Sequence, residues 1–246
     1  MNDLSEEIRS IVEDEFANYK YNFRFRSPII GFADACDPLY DKLSEIIGHK
    51  QLHPQDILEG AKTVIVYFIP FSIDVIKKLR GPRVIVKEWS ENYTCGNILL
   101  KKISERLESE LVRKGINVKS EPPTNNYDPV ELTAKWSHKS SAVIAGIGTF
   151  GLNHLLITEC GTAGRLNSLI IDERIEPTKR PDGSYCLYYK SGKCKVCVEK
   201  CPTGALSVEG YDRFRCNAYL DGKNIHDLEQ GCGMCSSGPC ACRGFI

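Results

Sequence analysis

The chain has 246 residues, enough for one large or two modest domains. Its 32 lysines and arginines balance 32 aspartates and glutamates, so it lacks the basic excess usual in a protein that lives on a nucleic-acid backbone. The start, Met1-Asn-Asp-Leu-Ser-Glu-Glu-Ile8, has neither the basic opening nor the apolar core of a signal peptide, and no apolar run approaches the roughly 18 residues of a membrane span. The twelve cysteines therefore point to a reducing cytoplasm and to metal ligation.

Asn2 to Lys20 reads as a helix, with Leu4, Ile8, Ile11, Val12 and Phe16 on one face. Ser27 to Ala33 reads as a strand. Asp37-Pro38 offers an N-cap followed by proline at the first helical position, with Leu39, Leu43, Ile46 and Ile47 as the buried face. Thr63 to Ile69 is a continuous apolar, β-branched run, which predicts a buried central strand ended by Pro70. Leu99, Ile103, Leu107 and Leu111 repeat every four residues, predicting a helix over Asn97 to Lys114 with Gly115 as its stop. A short strand follows over Ile116 to Lys119, then a polar, proline-rich loop from Glu121 to Pro129. Val130 to Ala145 is expected to be helical. Leu155 to Thr158 and Leu166 to Ile171 are apolar runs, and Glu173 to Ser184 is a linker by composition. The expected fold class is α+β: an α/β domain over 1–180, then a small cysteine-rich domain over 181–246 that needs its metal to fold.

Ala145-Gly146-Ile-Gly148-Thr149-Phe150-Gly151 contains G-x-G-x-x-G. A dinucleotide fingerprint should follow a strand, open a long helix and lead to an acidic residue about 20 positions on. Asp172 could serve as that residue, but Gly161 and Gly164 interrupt the helix. Two readings remain: a tight turn between helix and strand, or a backbone surface for another large cofactor, since glycine permits close approach.

Nine of the twelve cysteines lie from Cys186 onward. Cys36, Cys95 and Cys160 stand apart and read as small buried apolar residues. Cys194-Lys-Val-Cys197-Val-Glu-Lys-Cys201-Pro202 is C-x2-C-x3-C-P, most of the bacterial ferredoxin run, in which the last cysteine reaches over to a second cluster. A second group is present: Cys216, Cys232, Cys235, Cys240 and Cys242. Zinc is the main rival, because Cys194/Cys197 and Cys232/Cys235 are two C-x2-C knuckles. A disulfide scaffold is the other rival and would require secretion. Zinc explains neither Cys201-Pro202 nor the surplus of thiols.

Three stretches together resemble the epoxyqueuosine reductase family and its shorter 4Fe-4S relatives: His53-Pro54-Gln-Asp-Ile-Leu58-Glu-Gly60-Ala61-Lys-Thr-Val64-Ile-Val66; Trp136-Ser-His138-Lys139 leading into the glycine loop and Asn153; and the cysteine run with Pro202-Thr-Gly-Ala205. The resemblance spans roughly residues 28 to 246. It implies a nitroreductase-like first domain that holds cobalamin, fed by a ferredoxin-like domain with two 4Fe-4S clusters. It places Gly148, Thr149, Phe150 and Gly151 against the corrinoid and matches Asp128 to a proton-donating acid. Against the family's cysteine run, Ser191 stands where the first ligand belongs, so Cys186 is expected to replace it, with the intervening loop bulging outward around Gly192. The ligand sets expected are Cys186, Cys194, Cys197 and Cys240 for one cluster, and Cys201, Cys216, Cys232 and Cys235 for the other. Cys242 is left as a free thiol or a neighbour.

The function expected is a cytoplasmic reductase passing single electrons from two clusters to a corrinoid or a substrate. The alternative is an electron carrier, or a reductive activator of a corrinoid protein. A ferredoxin or flavodoxin is the expected donor. The chain ends at Ile246 without the helical-repeat extension of the tRNA-modifying members, and its net charge is zero, so tRNA is expected to be a doubtful partner, and a membrane none.

Overall fold

The eight residues of β2 (Thr63–Pro70) are all buried, and the rest of the fold is laid on both of its faces. The computed structural model describes residues 3–81, 86–124, 126–222 and 231–245; Asn2 and Ile246, the expected ends of the first helix and last domain, lie outside them. β2 pairs on one side with β1 (Ile29–Asp34) and on the other with β8 (Gly164–Ile171), both antiparallel. β8 pairs in turn with β3 (Val118–Ser120), giving the order β1-β2-β8-β3. Alternation along the strands splits the core in two. Ile65, Tyr67 and Ile69 face α1 (Leu4–Asn18), α4 (Ile73–Arg80) and α5 (Lys87–Arg113). Val64, Val66 and Phe68 face α2 (Pro38–Ile47), α3 (Pro54–Ile57) and α6 (His138–Ile144). Among the described residues, no helix is long and apolar enough to cross a membrane.

The expected central strand and the Leu99 to Leu111 stripe are buried as read, as are Ile8, Ile11 and Val12 of the α1 face, while Leu4 and Phe16 are partly buried. α5, however, begins ten residues earlier than expected, at Lys87. Gly96 made Asn97 look like a start. It is instead a mid-helix close approach, where an added Cβ would meet Arg165 Cγ at 2.9 Å. Asp37 caps α2 through Leu39 N, as expected, but Ile46 is 65% exposed; the buried side of that helix is Tyr40 and Leu43. Cys36 is exposed rather than buried.

The larger departure is at 130–145, where only α6 is helical. Before it, β4 (Tyr127–Asp128) and β5 (Thr133–Ala134) form a hairpin. Asp128 Oδ1 accepts from Val130 N and Glu131 N, both at 2.8 Å, an Asx turn that competes with helix formation. Leu132 then takes φ +52°, and α6 waits for its own cap, Ser137, which accepts from Ser140 N.

The 173–184 stretch has no regular structure, yet it is strapped along β1. Thr178 Oγ1 accepts from Phe32 N at 3.0 Å, Phe32 O accepts from Thr178 N at 2.9 Å, and Arg180 pairs with Asp37. The C-terminus returns across the start of β8: Thr162 N donates to Cys240 O and Ala163 N to Ala241 O. Arg26 clamps the return. Its guanidinium donates to Phe71 O, Cys242 O and Cys160 O at 2.9, 3.0 and 2.7 Å. In Arg26→Met three carbonyls lose their shared donor, so stability should fall by about 2–4 kcal/mol. Urea denaturation measures the loss, and hydrogen exchange should locate it at Ala163 and its C-terminal partner.

Candidate metal centres and the neighbouring loops

Eight of the nine C-terminal cysteines come together in two groups of four. Cys186, Cys194, Cys197 and Cys240 line one mostly enclosed apolar pocket, walled by Leu152, Ile157, Leu187, Val196 and Pro239. Cys186 caps α7 (Leu187–Ser191), Cys197 lies within α8 (Val196–Lys200), and Cys240 sits in the single turn Pro239–Ala241. The expected outward bulge is therefore a short helix closed by Gly192 at φ +70°. Ser191 takes no part in the pocket: its hydroxyl donates to Leu187 O at 2.8 Å. Burial, then the neighbouring thiols, push Cys197 up to about 11 and Cys240 up to about 12.

The second group is Cys201, Cys216, Cys232 and Cys235, close enough that each raises the proton affinity of others. Cys201 ends α8, Cys216 lies on α9 (Arg213–Asp221), and Cys235 lies in the turn Met234–Ser236. Burial raises Cys232 to about 11 and Cys235 to about 12. Cys201 differs. Burial would raise it too, but hydrogen bonds from the Thr203 hydroxyl, at 3.5 Å, and from the backbone of Thr203 to Leu206 hold it below the ordinary thiol value. Cys235 also faces Cys197, so the two groups adjoin.

The donor chemistry fits thiolate-ligated clusters. All twelve cysteines are free, and eight of them are gathered in two groups of four, the thiolate donors that such clusters take. Among the described residues no three Cys, His, Asp or Glu side chains converge as a single ion requires. Cys242 stands outside both groups, its sulfur 3.4 Å from Arg80.

The glycine loop forms a hairpin of β6 (Thr149–Phe150) with β7 (Leu156–Ile157). A Cβ on Gly148 would meet Ile157 O at 2.3 Å, and one on Gly151 would meet Ile157 Cδ1 at 2.5 Å. The chain itself thus fills the space on the Cβ side of these two glycines. Thr149 Oγ1 accepts from Tyr185 N, and the partly exposed Phe150 is what the hairpin turns outward.

Asp128 is exposed at the β4–β5 turn, remote from burial, and its two backbone donors hold the carboxyl below the usual range. The foot of its loop is fixed by a chain of hydrogen bonds. Trp136 Nε1 can only donate, to Ser168 Oγ at 3.0 Å; Pro122 O can only accept, from His138 Nε2 at 3.1 Å. His138 Nδ1 therefore accepts from Ser168 Oγ at 2.7 Å, which sets the tautomer. Three groups beside the second thiol set did not stand out in the sequence as sulfur partners: Thr203, Tyr211, whose hydroxyl hydrogen-bonds Cys216, and Lys139, which faces Cys235. Only the position of Thr203, two residues after a ligand-type cysteine, could have signalled one of them.

No family model matches the chain. Its curated relatives include epoxyqueuosine reductases: that of Vibrio cholerae is 27% identical over 185 residues, 70% of this chain and 45% of the relative, and that of Bacillus cereus is 30% identical over 181 residues, 70% and 43%. The chain thus spans about half the length of the curated relatives it matches. Among solved structures, the epoxyqueuosine reductase of Streptococcus thermophilus superposes with TM-score 0.60 at 21% identity, over 100% of this chain and 68% of the other. An epoxyqueuosine reductase with an epoxyqueuosine-modified tRNA-Tyr stem loop gives 0.58 at 20%, over 97% and 68%. A reductive dehalogenase whose structure suggests a mechanism for B12-dependent dehalogenation gives 0.60 at 14%, over 86% and 29%. The fold is that shared by these reductases. By sequence, the chain is a relative of the epoxyqueuosine reductases, as its motifs suggest.

One expectation is corrected by these neighbours. tRNA was expected to be a doubtful partner because the helical-repeat extension is missing and the net charge is zero, yet a reductase of this fold is solved with a tRNA stem loop. Net charge is a sum over the whole surface and is silent on local patches. Here Arg80, Lys200 and Arg243 line one open cleft.

His138 carries a pH prediction. Burial pushes its pKa down from 6.5 to about 4. Between those values the unfolded chain binds the proton that the folded chain refuses, so stability is full above 6.5 and falls as the pH drops toward 4. The loss should reach about 3 kcal/mol at most. Urea midpoints at neutral and acid pH read it, and His138→Gln should remove this part of the slope.

Proposed function

We propose that the chain is an iron–sulfur reductase of the epoxyqueuosine reductase type, with Cys186, Cys194, Cys197 and Cys240 holding one 4Fe-4S cluster and Cys201, Cys216, Cys232 and Cys235 the other. The observation that carries this reading is the gathering of eight free thiols into two adjoining fours. Residues 181–246 are then the cluster-bearing part and 1–180 the part that receives the substrate. Free thiols in this number also suit the cytoplasm.

The substrate class suggested by the relatives is an epoxide on a modified tRNA base. Removing or opening an epoxide oxygen takes two electrons and two protons. The clusters, when bound, supply single electrons at low potential. Asp128 is the proposed proton donor. It must first shed the hydrogen bonds from Val130 and Glu131, which favour its charged form. His138 holds the Pro122 end of that loop in place. A corrinoid belongs to the proposal through the family resemblance and the B12-dependent neighbour. The glycine loop, with Gly148, Thr149, Phe150 and Gly151, packs on its Cβ side against its own hairpin, which leaves the other side of its backbone as the surface a corrinoid would meet.

Anaerobic reconstitution tests the clusters. About eight irons per chain are expected; about four, or tightly bound zinc, would overturn the reading. Cys186→Ala and Cys240→Ala should each remove iron from one cluster only, while Cys242→Ala should keep the full count. With an epoxyqueuosine-modified stem loop and dithionite, Asp128→Asn should slow turnover by about 100-fold or more without altering the clusters' spectra. Full activity in that variant would exclude Asp128 as the donor. Titration with cobalamin, read by its visible bands, tests the corrinoid, and absence of binding would remove it.

A further inference from the structure

We infer that Cys201, Cys216, Cys232 and Cys235 hold the more easily reduced of the two centres, made so by Tyr211, Thr203 and Lys139, so that an electron entering the chain comes to rest there. The inference rests on the proposal that each group of four thiols holds a cluster. It adds an order to them that the ligand spacing does not contain.

The argument is electrostatic. Reduction adds one negative charge, spread partly onto the thiolate sulfurs. Hydrogen-bond donors to those sulfurs and cations beside them stabilise the reduced form, whereas an apolar wall without them destabilises it. The two groups differ in this respect. Around the second, the Tyr211 hydroxyl hydrogen-bonds the Cys216 sulfur, and the Thr203 hydroxyl lies 3.5 Å from the Cys201 sulfur. Backbone donors from Thr203, Ala205 and Leu206 converge on Cys201, and one from Met234 reaches Cys232. Lys139, half-buried on α6, donates to His154 O at 3.1 Å and faces Cys235. Asn153, next to His154, donates to Cys235 O at 3.1 Å and so ties the turn under Lys139 to the thiol it faces.

The first group sits in a different medium. Its pocket is walled by Leu152, Ile157, Leu187, Val196 and Pro239. Its sulfurs take backbone donors, Leu152 N to Cys186 at 3.5 Å and Val198 N to Cys197. Since Cys235 faces Cys197, the transfer between groups is short. One electron leaves the centre at Cys186, Cys194, Cys197 and Cys240, which is oxidised by one; the other is reduced by one. No bond or proton has to move.

The test uses the full chain, reconstituted anaerobically and reduced stepwise with dithionite. Potentials are read by electron paramagnetic resonance and visible absorption. Iron is counted first. Two one-electron waves are expected, and Cys240→Ala should delete the lower one. Tyr211→Phe and Lys139→Gln should each move only the upper wave to more negative potential, and Lys139→Arg should restore it. A tenfold loss of preference corresponds to about 59 mV. Fewer than eight irons would sink the cluster reading and this inference with it. Eight irons with an upper wave unmoved by both variants, or loss of the upper wave in Cys240→Ala, would sink this inference alone.

Discussion

Burial of thiols sets the terms for the rest of this molecule. A thiol buried among other thiols does not ionise unaided, and Cys235 and Cys240 are pushed to about 12. The C-terminal stretch has little else to fold around. α7 and α8 are five residues each, and α9 has no buried residue. Such short helices are marginal without tertiary support. The sulfurs are therefore where a large part of the stabilisation of this region must enter, once they bind a positively charged centre.

The N-terminal body supplies the complementary constraint. Its sheet is buried on both faces. The C-terminal chain is stitched to it through backbone pairs at Thr162 and Ala163, the Arg26 clamp, and Trp89, whose indole donates to Gly231 O at 2.7 Å. Gly233 makes that last contact possible, since a Cβ there would lie 2.3 Å from the indole ring. Met234, next to Cys235, belongs to the same core as Ile65 on β2 and Ile103 and Leu107 on α5. A rigid sheet thus fixes the backbone on which the sulfurs are hung.

What could be read from the residues divides along physical lines. β2 and the Leu99 to Leu111 stripe were legible because burial there is periodic or continuous. The two cysteine groups were legible because ligand spacing is a local constraint. The first ten residues of α5 were not, since Gly96 is a breaker by propensity and a contact point by packing. The hairpin before α6 was missed for a related reason. Val130, Leu132 and Ala134 are compatible with a helix, and the Asx turn at Asp128 overrides them. Tyr211 and Lys139 were illegible as sulfur partners because each meets its thiol only after the chain has folded.

Asp128 shows how local chemistry shapes the fold and constrains the role proposed for it. Its carboxylate ends one hydrogen-bonded turn and thereby prevents a helix that would carry it elsewhere. The two amides that hold it also favour its ionised form, the wrong form for a proton donor. A donor at this position must then be made by rearrangement of the turn. The surroundings permit that on one side only. The Pro122 end is tied through His138 and Ser168 to β8, and Ala134 O is held at 2.7 Å by Gln51, whereas the tip meets α9 through a single bond, Arg213 to Glu131 O at 2.8 Å. Both feet are anchored to the rigid body, and the tip is held by the helix that carries Cys216. Movement of Asp128 is in this way confined to the turn itself, which meets the helix that carries Cys216.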